Sequence, residues 1–228
     1  FLFAHVWLAF AGMHVLLRRG ARLPFLSAMA GALIYGASGY ARSMWDTHNF
    51  MALPWIPLGL AALLEVRRRR RLIVPAVLVA GCWSMLILCG DFQAACLWVP
   101  VALLLALLMP ERLRLIKALA AGVVLALLVT AVQWAPAFMA SAESYRAGGM
   151  DYAMAVERSF NPVRIVEFFL PHAFGNRDTW FGATLAGHGA TKLSPWTSSV
   201  HVGLLTWLAV FFAVRRLKRP MVSWALIL

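Results

Sequence analysis

Charged residues are scarce in this chain. Only 13% of its 228 residues are charged and 62% are hydrophobic, whereas a soluble domain has roughly 25% charged and 45–50% apolar residues. Acidic residues are rarer still, with nine Asp and Glu against 21 Lys and Arg. A water-soluble core cannot absorb so many apolar side chains, so the composition argues against a soluble domain.

Cysteine and metal-binding patterns are also sparse. The three cysteines, Cys82, Cys89 and Cys96, form no CxxC pair and have no His partner at metal spacing, so we interpret them as small core residues. No cluster of His, Cys or carboxylates has the spacing of a metal site. The basic residues lie in short clusters without a recognition motif, so nucleic acid is not an expected partner.

Long apolar runs dominate the sequence. A transmembrane helix needs roughly 20 mostly apolar residues, and eight runs approach that length. They are 1–17, 23–41, 50–66, 72–90, 92–109, 115–138, 200–214 and a start at 221. The pattern predicts an all-α, polytopic transmembrane bundle of about eight spans. Because the first and last runs look truncated, we expect the chain to be an excerpt of a longer protein.

The basic residues alternate along the chain. Every second connection between the runs is basic, and these four connections hold 15 of the 21 Lys and Arg. Cytoplasmic loops are the ones enriched in Lys and Arg. We therefore predict that the loops at 18–22, 67–71, 111–117 and 215–219 are cytoplasmic.

One connection is long. Helices 1–6 occupy residues 1–138, a non-cytoplasmic loop occupies 139–199, and helices 7–8 occupy 200–228. Within the loop, Asn161 and Pro162 are typical of a helix start. The residues that follow predict a short helix over about 162–170, lying at the membrane surface with Arg164 in solvent. Its apolar stripe comprises Val163, Val166, Phe169 and Leu170.

Polar groups cluster at two predicted turns on the non-cytoplasmic side. In RSMWDTHNF, Asp46 either caps the next helix or contacts a substrate together with His48, whose imidazole titrates near neutral pH. In CGDFQ, Asp91 and Gln93 sit at a tight turn between two apolar runs. Burying a carboxylate at membrane depth costs free energy, and such residues are often functional. If the turn lies among the lipid headgroups, Asp91 carries little of that cost.

A third polar cluster, SAESYRAGGMDY, follows the sixth run. Arg146 carries a planar fork suited to phosphate, while a salt bridge to Glu143 is the competing structural explanation. Topology places Asp46, His48, Asp91 and Arg146 at one membrane level, so we predict that they line a single outward-facing cavity.

The ordered set of segments resembles the bacterial YfhO-type membrane proteins, grouped with the C-type glycosyltransferase superfamily. The resemblance covers residues 31 to about 176. It rests on YGASGYARSMWDTHNFMALPWIPL, GDFQAA, QWAPAFMASAESYRAGGMDYAMA and SFNPVRIVEFFLPHAFGN.

This resemblance implies a protein of the bacterial cytoplasmic membrane that transfers a sugar from a polyprenyl-phosphate carrier to a cell-envelope acceptor on the outer face. Its expected partners are membrane lipids and the lipid-linked sugar. The positions that coincide with recurrent family residues are His48, Asn49, Gln93, Ser144, Arg146, Pro171 and Gly175.

The catalytic carboxylate of such enzymes is expected upstream of Phe1, which leaves Asp46 and Asp91 as weak candidates within the chain. If a divalent metal takes part, the same two residues are its candidate ligands. Two other function classes stay open at this point. One is a transporter or flippase of lipid-linked saccharides, and the other is a non-catalytic scaffold of an envelope-polymer machine.

Overall fold

Helices are the only regular elements in the part of the chain that the structure describes, which confirms the all-α prediction. The structure is a computed structural model. It describes residues 2–44, 47, 49–144, 147–149, 152, 162–175, 201–203, 206, 207 and 211.

The helices follow the predicted apolar runs between residues 1 and 138. In chain order they are α1 (Leu2–Val15), a π-helical turn (Leu16–Gly20), α2 (Phe25–Gly36), α3 (Gly39–Ser43), α4 (Asn49–Ala52), α5 (Trp55–Leu64), a 3-10 turn (Glu65–Arg67), α6 (Ile73–Leu88), α7 (Phe92–Leu108), α8 (Arg112–Val129), α9 (Ala131–Ala142) and a 3-10 helix (Pro162–Phe168).

Few of these helices are long enough to cross a bilayer alone. Among the described residues, the stretch Asn49–Arg67 passes a test of length and apolarity, and α8 with α9 passes if the bent pair counts as one span. Helices α6 and α7 are apolar but shorter. The count of eight spans therefore stays a prediction, and its last two spans lie mostly outside the described residues.

The predicted run 115–138 is not one continuous helix. Helices α8 and α9 meet at an angle of 74°, and the buried Thr130 lies between them. The Thr130 hydroxyl donates to the carbonyl of Ala126 at 2.7 Å, and its N–H donates to the same oxygen at 2.8 Å. A Thr hydroxyl that bonds back four residues often bends a helix, and the chain bends at this residue.

Two prolines divide the third run. Pro54 lies between α4 and α5, and Pro57 lies in the first turn of α5. Because proline has no N–H, residue 57 cannot donate to the carbonyl of Leu53 four residues earlier. The Tyr35 hydroxyl on α2 donates to that carbonyl instead, at 2.8 Å. This bond fastens α2 to the α4–α5 junction.

Close helix packing forms the core. Helix α6 packs most extensively on α8 and α5, and α1 packs on α2 and α5. A Cβ added to Gly122 of α8 would lie 2.6 Å from Cγ1 of Val79 on α6, so the two backbones approach closely, as small residues permit between membrane helices. Buried Trp98 of α7 donates its indole N–H to the carbonyl of Ile56 on α5 at 3.0 Å.

A short helix lies in the predicted place, but its arginine is buried rather than exposed to solvent. It begins at Pro162 as predicted, is of the 3-10 type, and ends at Phe168; Asn161 lies outside the described residues. Arg164 and Glu167 are buried, at 5% and 0% exposure, whereas the stripe residues Val166, Phe169 and Leu170 are exposed. The expectation that Arg164 faces solvent is therefore wrong. Side chains three apart eclipse each other in a 3-10 helix, so Arg164 and Glu167 pair on one side.

Candidate functional site

The structure describes only some of the residues predicted for a site. Asp46, His48 and Arg146 lie outside the described residues, so the predicted convergence of these three with Asp91 stays a prediction. The described candidates are Asn49, Asp91, Gln93, Ser144, Pro171 and Gly175.

Asn49 and Asp91 are in direct contact. The side-chain amide of Asn49 donates to Oδ2 of Asp91 at 2.8 Å, and Oδ1 of Asp91 accepts the backbone N–H of Ala94 at 2.9 Å. Asp91 is only 4% exposed and caps the N-terminus of α7. Two candidates 42 positions apart thus meet, in a bond that joins α4 to the α6–α7 turn. The cap alone is a sufficient structural reason for Asp91.

The amide oxygen of Asn49 takes no part in this contact. Its Oδ1 atom is buried and has no hydrogen-bond partner within the part of the chain that is described.

Gln93 and Ser144 occupy less enclosed positions. Gln93 is exposed on the first turn of α7, two residues after Asp91. Ser144 is half-buried just after α9, and its hydroxyl donates to the carbonyl of Ser141 at 2.8 Å. This bond is local and does not link Ser144 to the Asn49–Asp91 pair.

A cavity of about 520 Å³ lies beside α3, and we call it the α3 pocket. Its lining residues are Ala37, Gly39, Arg42, Ser43, Pro171, His172 and His201. Arg42 is cationic, His172 and His201 can be, and no carboxylate lines the cavity among the described residues. Such a lining suits an anionic group, because a guanidinium offers a fork of donors and an imidazole donates when protonated.

Local turn chemistry places these side chains. Ser38 caps α3 by accepting the N–H of Ala41 at 3.2 Å, which turns the chain sharply after α2. The N–H of Gly39 donates to the carbonyl of His201 at 2.8 Å. His172 has a φ of +54°, a left-handed conformation that is uncommon for residues other than glycine. The pocket is therefore assembled from three segments far apart in sequence.

A buried ion pair lies in the 3-10 helix that precedes Pro171 and His172. Oε2 of Glu167 lies 2.6 Å from Nη2 of Arg164 and 2.8 Å from its Nε. The indole N–H of Trp207 donates to the carbonyl of Phe168 at 2.9 Å, and its ring stacks on Phe169 with centroids 4.7 Å apart. The two Trp207 contacts hold the segment that precedes His172 against the segment that follows His201.

Sequence reasoning missed Arg42, His172 and His201. Arg42 and His172 fall inside segments that carry the family resemblance, yet no spacing rule links them to each other or to His201. A usable signal was the rarity of basic residues on the predicted non-cytoplasmic side, where Arg42 is one of six.

The described residues contain no group of three or more His, Cys, Asp or Glu side chains that could hold a metal ion. Asp46 lies outside them, so the proposed metal pair Asp46 and Asp91 is not described. No protein-family model, curated protein or solved structure matches this chain. The family resemblance therefore stays a prediction from the sequence motifs.

Proposed function

We propose that this chain is a polytopic helical protein of the bacterial cytoplasmic membrane. We further propose that it binds a polyprenyl-phosphate-linked sugar at its non-cytoplasmic end and transfers the sugar to a cell-envelope acceptor. The observation that carries the binding proposal is the α3 pocket, where Arg42, His172 and His201 meet without a carboxylate in the described lining.

Exposed apolar side chains support the membrane location. Leu26, Leu128 and Val132 are 79%, 71% and 79% exposed, and they belong to a long series of outward-facing large apolar residues. Soluble monomers rarely expose contiguous apolar patches larger than a few hundred Å², whereas lipid accommodates such a surface at no cost. The alternation of basic connections then supports several crossings rather than one.

The basic lining of the α3 pocket suits a ligand whose phosphate group leaves during the reaction. In sugar transfer, an acceptor hydroxyl attacks the anomeric carbon, the bond from that carbon to the phosphate oxygen breaks, and the lipid phosphate leaves as an anion. A base takes the hydroxyl proton. Arg42 would hold the phosphate by its fork, and His172 or His201 would donate a hydrogen bond to the departing oxygen. Asp91 would act as the base only if its capping bonds open.

Sugar transfer from a labelled polyprenyl-phosphate donor by membranes containing the chain within its full-length protein tests this function. Arg42→Ala should lower the rate at least about tenfold, as expected when one phosphate-binding donor is removed, and Arg42→Lys should recover only part of it. Arg112→Ala is the matched control, because Arg112 is exposed at the start of α8. Arg164 cannot serve as a control, because it is buried in an ion pair. Equal rates for Arg42→Ala and Arg112→Ala would refute the assignment of the α3 pocket.

Asp91→Asn separates capping from catalysis. The amide oxygen can still accept the N–H of Ala94, and the amide nitrogen can donate to Oδ1 of Asn49 after a flip of the Asn49 amide, so the fold should survive. If Asp91 is the base, transfer falls by about 100-fold or more while the protein still folds. Unchanged transfer would leave Asp91 as a cap and would assign the base to another residue.

The broken helix at Thr130 favours one rival function. Transporters build binding sites from discontinuous helices, and α8 and α9 meet at 74°. Movement of a fluorescent lipid-linked sugar across proteoliposomes, without its consumption, would support a transporter or flippase. If the protein neither moves nor transfers the lipid-linked sugar, a scaffold is favoured.

A further inference from the structure

A second cavity, of about 490 Å³, opens at the C-terminal end of α1 and has a strongly basic lining. We call it the arginine pocket. It is lined by His14, Val15, Arg18, Arg19, Arg22 and Arg68. Four of these six side chains are guanidinium groups, and the described lining contains no carboxylate.

An unusual backbone brings these arginines together. Residues Leu16–Gly20 form a π-helical turn, and π turns occur most often at functional sites. The next residues bend back, so that the N–H of Leu23 donates to the carbonyl of Leu17 at 3.0 Å. Arg22 adopts a φ of +58°, a conformation that costs energy for any residue with a side chain. The fold accepts this strain in a turn that presents three arginines to one cavity.

The arginines of the pocket are held by carbonyl groups rather than by carboxylates. Arg18 donates to the carbonyl of Leu23 at 2.7 Å, and Arg68 donates to the carbonyl of Arg19 at 3.3 Å. These bonds fix the side chains but leave their charge uncompensated, and each guanidinium has five N–H groups. Among the described residues, none of the four forms a salt bridge.

Two neighbouring arginines outside the cavity form ion pairs with carboxylates. Arg67 lies 3.6 Å from Glu111, and Arg69 lies 3.7 Å from Glu65. Glu65 and Glu111 therefore pair with arginines that do not line the arginine pocket. One further buried polar atom, Nδ1 of His14, has no hydrogen-bond partner in the described part of the chain.

We infer that the arginine pocket binds a phosphate group, and that this phosphate belongs to the headgroup of an anionic phospholipid. Guanidinium forks match phosphate oxygens in geometry and charge. The start of α2 beside the pocket supplies an apolar surface for an acyl chain: the ring of Phe25 lies 5.3 Å from that of His14, and Phe25 and Leu26 are 55% and 79% exposed. A free phosphate ion would not use this surface. The inference depends on the proposed membrane location but not on sugar transfer.

Binding of short-chain phosphatidylglycerol to the purified chain in neutral detergent micelles tests this site. The pocket variant Arg18→Gln/Arg22→Gln/Arg68→Gln should raise the dissociation constant at least tenfold. The control variant Arg70→Gln/Arg71→Gln/Arg112→Gln removes the same charge from exposed positions outside the cavity and should change it less than twofold. If both variants weakened lipid binding equally, the effect would come from net charge alone, and the proposed binding site would be overturned.

Two further arms keep the test decisive. The variant Arg18→Lys/Arg22→Lys/Arg68→Lys keeps the charge for insertion and folding, and it should still bind at least threefold more weakly because the forks are lost. Inorganic phosphate and short-chain phosphatidylcholine are titrated in parallel. Pocket-dependent binding of inorganic phosphate at the affinity of phosphatidylglycerol would overturn the lipid assignment in favour of free phosphate. Because the assay needs no sugar donor, failure of the proposed transfer activity would leave its result unchanged.

Discussion

The two ends of helix α2 hold their charged side chains in different ways. At its N-terminal end, the arginine pocket holds Arg18 and Arg68 by backbone carbonyls, and its described lining contains no carboxylate. At its C-terminal end, the described lining of the α3 pocket also contains no carboxylate. There, however, the preceding 3-10 helix contains the buried Arg164–Glu167 pair, and the Asn49–Asp91 bond joins two distant segments. The comparison separates an end where arginines gather without ion pairs from an end where polar bonds join chain segments around a cavity.

Single-cysteine labelling is the all-or-none test of this comparison. In a chain with Cys82, Cys89 and Cys96 replaced by serine, a cysteine at position 93 should react with a membrane-impermeant maleimide in intact cells. A cysteine at position 70 should react only after permeabilisation, because basic loops stay in the cytoplasm. Both native residues are exposed. Labelling of position 70 in intact cells would place the arginine-rich end outside and end the topological prediction.

Removal of a carboxylate should cost far more at one end than at the other. Glu167→Ala should lower the free energy of unfolding by about 3–5 kcal/mol, because it breaks a buried ion pair by removing the carboxylate. Glu65→Ala should cost less than about 1 kcal/mol, since its partner Arg69 is 52% exposed and surface pairs contribute little. Denaturant titration in mixed micelles measures both values. Similar costs for the two variants would mean that the 3-10 helix is not held as the structure has it.

Loss of one hydroxyl gives the smallest expected change. Tyr35→Phe should cost about 1–3 kcal/mol, because the carbonyl of Leu53 loses its donor and Pro57 cannot replace it. Tyr40→Phe is the matched control, since the Tyr40 hydroxyl makes no hydrogen bond among the described contacts, and it should cost less than about 0.5 kcal/mol. The same titration compares them. An unaltered stability for Tyr35→Phe would show that water reaches the Leu53 carbonyl.

The sequence predicted the helices well and the pocket poorly. Apolar runs separated by basic turns predicted the positions of α1, α2 and α5 to α8, because such runs are a local signal in the sequence. The family motifs included Asn49 and Asp91, which the structure places in contact. Arg42, His172 and His201 were missed because their proximity is set by tertiary packing. The burial of Arg164 was not predicted, because its pairing with Glu167 three residues later depends on the three-residue turn of a 3-10 helix.

The bond from Tyr35 to Leu53 also has a consequence for the order of synthesis. A proline-broken helix that enters a bilayer carries a carbonyl without a donor, which is costly in hydrocarbon. Tyr35 precedes Leu53 by 18 positions, so its hydroxyl is already made when that carbonyl emerges from the ribosome. The reverse order, with the donor on a later helix, would leave the carbonyl unsatisfied until that helix arrived. A rearranged chain in which the segment with Tyr35 follows α5 is therefore expected to insert less efficiently.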